Sequence, residues 1–430
     1  MDKILLREII LEQKDLVSRK EKDVSREVLP FIEKCLALPH VVVISGIRRC
    51  GKSTLLAQIM RKYYQNDVYY FNFEDERLVD FRSNDLNDLY EVFVELYGEK
   101  KVFFFDEVQN ILGWERFVRR MYDRGFKFFI TGSNASLLSR ELGTKLTARH
   151  VSISLYPFSF LEFMTFKGYR PSHDALSLTK ERGKIKGFFQ EYLKMGGMPE
   201  FLKYREREIL QGTYNDIIYR DILVRYGIKE EKAFRELCFY LLSHAGGLFT
   251  YNKLKQILNL GSVNTVKSYV DYCENSYLVH TLNLFSFSLA QQILTPKKAY
   301  GIDNGFLRLL SFRFSENRGR FLENMVLVEL LRRGLGEVYY FKNEKGWEVD
   351  FLVKKKTKVT RLIQVTESLR EVAVREREIR ALGDALSKFK LSEGLILTED
   401  EEQLLRWEGK RIRILPVYKW LLSKNEWLAV

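Results

Sequence analysis

The 430 residues predict an α/β protein: a parallel sheet, then a winged-helix module, then a second α/β domain. Three observations carry this expectation. An apolar stretch at Val41–Ser45 runs through a glycine-rich loop into a helical segment. A second apolar stretch, near residue 100, ends in two carboxylates. The last third then alternates helical and β-prone segments with turn residues between them. The chain is too long for one ordinary core. The expected divisions are 1–165 for the first α/β domain, 166–228 for a helical lid or connector, 229–290 for the winged helix and 291–430 for the last domain.

Residues 1–38 read as helical, with a stop at Pro39. The loop Gly46-Ile47-Arg48-Arg49-Cys50-Gly51-Lys52-Ser53 has the spacing G-x-x-x-x-G-K-S, so the first sheet is expected to be that of a P-loop NTPase. Its glycines let successive N–H groups face phosphate oxygens, and the following helix adds its positive N-terminal end. Lys52 is placed to reach the β- and γ-phosphates of ATP, and the Ser53 hydroxyl to ligate Mg²⁺. Gly46, Ile47, Arg48, Arg49, Cys50, Gly51 and Thr54 complete the cradle.

Residues 67–73 form a good second strand, 86–97 have helical periodicity, and 101–107 are an apolar strand ending in Asp106-Glu107. In a parallel sheet that strand end lies beside the P-loop. Asp106 there can hold Mg²⁺ through water, and Glu107 can polarise the attacking water. A fourth strand over 126–131 ends at Thr131-Gly132-Ser133-Asn134. Thr131 and Ser133 are equal candidates to sense the γ-phosphate, while Ser133 or Asn134 can equally cap a helix over 135–142. Residues 151–155 supply a fifth strand. Arg140 and Arg149 lie between the last two strands, and Arg149 is the preferred arginine finger, in cis or from a neighbouring subunit of a homo-oligomer.

The segments Gly46–Leu56, Phe105-Asp-Glu-Val-Gln109, Thr131–Asn134 and Leu155-Tyr-Pro-Phe-Ser-Phe-Leu-Glu-Phe163 together resemble the AAA+-like prokaryotic ATPases that carry a C-terminal domain of unknown function. The resemblance spans about residues 20–370. It implies an ATPase with the acidic strand central in its sheet, and it implies no biological role. Ala148-Arg149 stands where that family has Gly-Arg, which leaves the arginine in place.

After a polar stretch at 167–187, residues 188–223 read as helical around Gly196-Gly197-Met198-Pro199, the expected lid. Residues 230–288 follow the order helix, helix, glycine turn, helix and a β-hairpin over 277–287, the layout of a winged helix-turn-helix. Thr250 and Ser262 are expected caps. Asn264, Thr265, Lys267 and Ser268 are the expected exposed face of the third helix, suited to DNA.

The last third resembles the PD-(D/E)xK nuclease scaffold of restriction endonucleases. The resemblance implies an acidic site of Asp350, Glu323 and Gln364, but Thr366 stands where the catalytic lysine belongs. Threonine supplies no positive charge for the transition state. Cleavage is therefore not expected unless a lysine such as Lys342 moves in, and Lys354, Lys355, Lys356 and Lys358 are left as phosphate contacts.

The net charge of +13 favours a polyanionic partner, nucleic acid and DNA in particular. No apolar run is long enough for a membrane helix. Four scattered cysteines and five histidines argue against zinc and disulfides and for a cytoplasmic setting. The leading expectation is an Mg²⁺-dependent ATPase that couples ATP to nucleic-acid engagement. The alternatives are a regulatory switch controlling protein assembly, favoured by diffuse charge, and an ATP-gated nuclease, which requires Asp350.

Overall fold

In the computed structural model, residues 1–18, 24–134, 149–172, 174–310 and 318–423 are described. They fall into two units, Met1–Tyr156 with Asn275–Tyr277, and Pro157–Glu274 with Leu278–Val430.

In the first unit, β1 (Val41–Ser45), β2 (Tyr69–Asn72), β3 (Val102–Asp106), β4 (Lys127–Gly132) and β5 (His150–Ser154) form a parallel sheet in the order β2-β3-β4-β1-β5. The five expected strands are all present, β1 with the expected ends and the others with ends moved by one or two residues. β1 is buried throughout and β3 and β4 nearly so, which is why they read as continuous apolar runs. Around the sheet lie α1 (Lys3–Ser18), α2 (Leu29–Leu36), α3 (Lys52–Tyr64), α4 (Leu86–Tyr97) and α5 (Trp114–Asp123). Right-handed crossovers put α3 on one face and α4 and α5 on the other, because the strand order reverses after β2. The α4/α5 face packs Phe71, Phe103, Phe105, Trp114, Phe117 and Phe128. On the α3 face, Phe104 stacks on Phe129 with ring centroids 4.6 Å apart.

Two expectations change here. The N-terminal helical stretch is two helices rather than one, with Pro30 in the first turn of α2 where its missing N–H costs nothing. Helix α5 was not anticipated, although Trp114, Phe117, Val118 and Met121 repeat at helical spacing and are all buried. Arg140 and the helix expected over 135–142 lie outside the described residues.

The second unit begins with helices Phe160–Phe166, Thr179–Met195, Pro199–Tyr204 and Arg207–Asp216, followed by a π-helical segment, Ile217–Val224. The polar stretch expected to be a connector contains the start of the Thr179–Met195 helix, because Ile185 and Phe189 give it a buried stripe. Helices Glu231–Ser243, Tyr251–Ile257 and Val263–Asn275 follow, with β6 (Leu248–Phe249), β7 (Val279–Leu282) and β8 (Lys297–Gly301) in an antiparallel sheet ordered β6-β8-β7. The Thr250 hydroxyl accepts from Lys253 N–H at 3.2 Å, and the Ser262 hydroxyl from Asn264 N–H at 3.1 Å, as capping requires. The expected hairpin over 277–287 is corrected: β7 pairs with β8 across a helix, Leu289–Leu294. Cys238 and Cys273, distant in sequence, meet as buried free thiols at 3.4 Å.

The unit ends in a mixed sheet of β9 (Glu337–Lys342), β10 (Glu348–Lys355), β11 (Lys358–Val365), β12 (Glu393–Thr398), β13 (Gln403–Trp407) and β14 (Lys410–Pro416), ordered β13-β14-β12-β11-β10-β9. Helix Val372–Lys388 seals one face through Ile379, Leu382, Ala385 and Leu386. Among the described residues no helix is long and apolar enough to cross a membrane.

Candidate functional site

β1 delivers the chain into the loop at Gly46, where space admits no side chain: a Cβ would stand 2.2 Å from the Leu155 carbonyl oxygen. Gly51 turns with φ +101 and opens α3. Arg49 adopts φ 62, a left-handed conformation unusual for a residue with a side chain. Arg26, buried, donates to the carbonyls of Cys50 (2.8 Å) and Tyr156 (2.5 Å), which fixes the end of the loop. The Cys50 thiol is pushed up by burial, so it packs rather than reacts. Ile47 is buried and Thr54 half-buried. Arg48 pairs with Glu74 at 2.6 Å.

Lys52 is 4% exposed. Its ammonium donates to the carbonyls of Gly46 (3.2 Å) and Ile47 (3.3 Å) and pairs with Glu107 Oε1 at 3.1 Å. Because β4 lies between β1 and β3, Thr131 stands between the loop and the two carboxylates. Its hydroxyl donates to Asp106 Oδ1 and accepts from the Glu107 N–H at 2.9 Å. One hydroxyl thus orients both acids. The Tyr70 hydroxyl donates to Asp106 Oδ2 at 3.3 Å, and the Ser53 hydroxyl also reaches Asp106. Glu107 has φ 52, which turns its side chain towards Lys52. Gln109 Nε2 donates to Glu107 Oε2 at 2.6 Å and to the Ser133 hydroxyl at 3.4 Å.

Electrostatics separates the two acids. Burial, and next the Glu107 carboxylate, push the Asp106 carboxyl up. Burial also pushes Glu107 up, but the Lys52 ammonium beside it outweighs that and holds it below its ordinary value. Lys52 pairs directly with Glu107, and the Arg48 guanidinium adds to the positive charge felt there. Ser53 and Asp106 offer the hard oxygens that Mg²⁺ takes. Among the described residues no group of three His, Cys, Asp or Glu side chains could hold a metal, so most ligands of an ion here would be water or nucleotide oxygens.

Lys52, Ser53, Asp106, Glu107, Thr131 and, through Gln109, Ser133 are therefore brought together. Arg149 is not. It precedes β5, whose register pairs His150 with Val41 and Ser154 with Ser45, so it lies at the opposite end of the sheet from the loop. Four strand steps separate the two ends, roughly 13 Å. There Arg149 pairs with Asp123 at 2.7 Å. A role for it on its own P-loop is not supported. The residues missed from sequence are Arg26, Tyr70 and Gln109. Gln109 was visible two places after Glu107, whereas Arg26 left no local signal.

The acidic cluster of the second unit also differs from expectation. Lys342 is exposed and does not enter it. Lys298, from β8, does: its ammonium lies 3.0 Å from Glu323 Oε1, 2.7 Å from Glu348 Oε1 and 3.4 Å from Asp350 Oδ1. The Tyr300 hydroxyl donates to Glu323 at 2.6 Å. Gln364 is turned inward, accepting from Asp350 N–H at 3.3 Å and donating to the buried Glu378.

Residues 39–164 match the AAA domain, 187–317 a domain of unknown function, DUF8612, and 318–420 another, DUF4143. The chain is 34% identical to the uncharacterized protein MJ1544 of Methanocaldococcus jannaschii, over 98% of this chain and 96% of that protein. It is 30% identical to an uncharacterized protein of Haemophilus influenzae, over 89% of this chain and 94% of that one. Among solved structures, AMPPCP-bound DnaA from Aquifex aeolicus aligns over 58% of this chain and 88% of that chain, at 15% identity and a TM-score of 0.25. With its P-loop, its AAA domain and relatives matched along nearly their whole length, the chain belongs to a family of P-loop ATPases that end in the domain of unknown function DUF4143.

Proposed function

We propose that this protein binds ATP with Mg²⁺, hydrolyses it to ADP and phosphate, and couples that cycle to engagement of nucleic acid, DNA above all. The observation that carries the reading is the Lys52–Glu107 pair at 3.1 Å, set beside Ser53, Asp106 and Thr131. A triphosphate offers the Lys52 ammonium more negative charge than one carboxylate does. Exchange of Lys52 onto the phosphates frees Glu107 to take a proton from the attacking water. Ser53 and Asp106 would hold Mg²⁺, which would offset charge on the β- and γ-oxygens. Thr131 positions both acids, and Ser133 with Gln109 stands where a water could be oriented.

For nucleic acid the support is the +13 charge and a three-helix, three-strand order compatible with a winged helix. On its third helix Asn264 and Lys267 are exposed, while Thr265 and Ser268 are half-buried, so the face available to DNA is narrower than the sequence suggested. A finger role for Arg149 would require a second copy of the chain. The test is the ATPase rate with and without single- and double-stranded DNA and RNA. Stimulation by nucleic acid, lost in Lys52→Ala, supports the coupling; hydrolysis indifferent to every nucleic acid refutes it.

A further inference from the structure

Helix α5 starts seven residues after Glu107 and carries a second feature that the ATP site does not use. Its buried side is Trp114, Phe117, Val118 and Met121. Its outer side presents Arg116, Arg119, Arg120 and, just past its end, Arg124, all exposed. With Asp123 they line a shallow groove of ≈ 450 Å³. Positions i, i+3, i+4 and i+8 share one helix face, so the four guanidiniums form a ridge rather than a ring.

The ridge is poorly neutralised. Asp123, the one carboxylate in the lining, is already paired with Arg149 at 2.7 Å. Arg120 donates to the Asn87 side chain, a neutral partner, and lies over the Phe117 ring. Arg116, Arg119 and Arg124 have no carboxylate partner among the described residues. A buried apolar side explains why the helix is there. It does not explain why the opposite side carries four cations close enough to repel one another.

We infer that the α5 arginine face is a docking surface for the phosphodiester backbone of nucleic acid. Charge complementarity selects a polyanion. Arginine rather than lysine at all four positions suits phosphate, whose oxygens match the planar fork in bidentate fashion. From Arg116 to Arg124 the helix rises about 12 Å, at 1.5 Å per residue. That length spans roughly three phosphates of one strand at 3.4 Å of axis each. The ridge holds a strand without reading its sequence, because backbone contacts position and do not specify. Only the short segment Val108–Gly113 separates α5 from Glu107, so a docked strand sits on the element that follows the catalytic acid.

This inference rests on the nucleic-acid reading above, and one experiment separates the two. Binding of a fluorescently labelled DNA duplex and a labelled single strand is followed by anisotropy across a salt series. The proteins are the full chain and the triple variant Arg116→Ala, Arg119→Ala, Arg124→Ala, with retained ATP binding as the control for folding. The expected result is affinity weakened about tenfold or more and a salt slope reduced by about three, one for each lost phosphate contact. If both proteins bind DNA equally well, the α5 surface is refuted and the nucleic-acid reading stands. If the parent chain binds no DNA at all, both fall. If the triple variant loses affinity for polyglutamate but not for DNA, the partner is an acidic protein and the inference is overturned.

Discussion

The side chains of Lys52 and Lys298 are each 4% exposed, yet their partners differ in kind. Lys52 has one carboxylate and two backbone carbonyls, in a loop whose N–H groups have phosphate-binding spacing. Lys298 has three carboxylates within 3.4 Å and a tyrosine hydroxyl on one of them. A buried ammonium with one carboxylate can exchange it for a more highly charged anion. One surrounded by three is already over-compensated, and a further anion would meet net repulsion. The same residue type is thus a ligand-seeking group in the first unit and an internal cation in the second. The acids expected from the nuclease resemblance do have a lysine among them, but it comes from β8 rather than from position 366, and it occupies their oxygens.

The largest expected effects cross over between the two. Lys52→Ala should lower ATP turnover by roughly a thousandfold, as loss of a preorganised charge does, while its denaturation midpoint moves little. Lys298→Ala should do the reverse: removing one partner of a buried ion cluster costs about 3–5 kcal/mol. ATP turnover at low temperature should survive it. Steady-state kinetics and urea unfolding on both variants check this. The contrast breaks if Lys298→Ala stops turnover in folded protein, or if Lys52→Ala turns over normally.

Next in size is Glu107→Gln. The amide keeps the shape and can still accept from Lys52 and Gln109, but it cannot take a proton. Turnover should fall by roughly 10²–10⁴ with nucleotide binding retained. Binding of a fluorescent ATP analogue, measured beside phosphate release, separates the two effects. Rapid hydrolysis by the variant would remove Glu107 as the base.

A smaller effect concerns pH. Burial first, and then the Glu323 carboxylate, raise Asp350 to about 8 against the opposing pull of Lys298. The folded chain therefore keeps a proton that the unfolded chain releases at about pH 4. Its stabilising contribution is complete below that pH and is lost as pH rises towards 8. Asp303, raised to about 6 by burial, and His280, lowered to about 4 by burial, act below this upper range. Unfolding free energy between pH 6.5 and 8 should thus fall in the parent chain and fall less in Asp350→Asn. Equal slopes would show that the cluster is ionised throughout.

What could be read from residues alone follows the range of the interactions. The strand–loop–helix at Val41–Tyr64 and helix Leu86–Tyr97 announced themselves through local periodicity, and they stand where expected. Asp106 and Glu107 come to lie beside Lys52 and Thr131 because a parallel sheet brings the ends of neighbouring strands together. Helix α5 was overlooked because it spans only ten residues, although Trp114, Phe117, Val118 and Met121 repeat at helical spacing opposite its exposed arginines. Lys298 was beyond reach: it is 25 residues from Glu323 and 52 from Asp350, and only the packing of β8 brings them together.

Arg149 failed for a related reason, and it gives the smallest prediction. Nearness in sequence to a strand places a residue only when strand direction is weighed as well: Arg149 precedes β5, and in a parallel sheet the strand starts lie at the end away from the loop. Its bond to Asp123 joins side chains 38% and 51% exposed, where water screens the charges. Arg149→Ala should therefore change stability by about 1 kcal/mol or less. In dilute protein it should leave turnover unchanged, because the guanidinium lies far from its own phosphate site. Kinetics over a range of protein concentrations distinguish the cases. A loss of turnover present at every concentration would contradict the separation of Arg149 from Lys52. A loss that grows as the protein is concentrated would mean that a neighbouring copy receives the arginine.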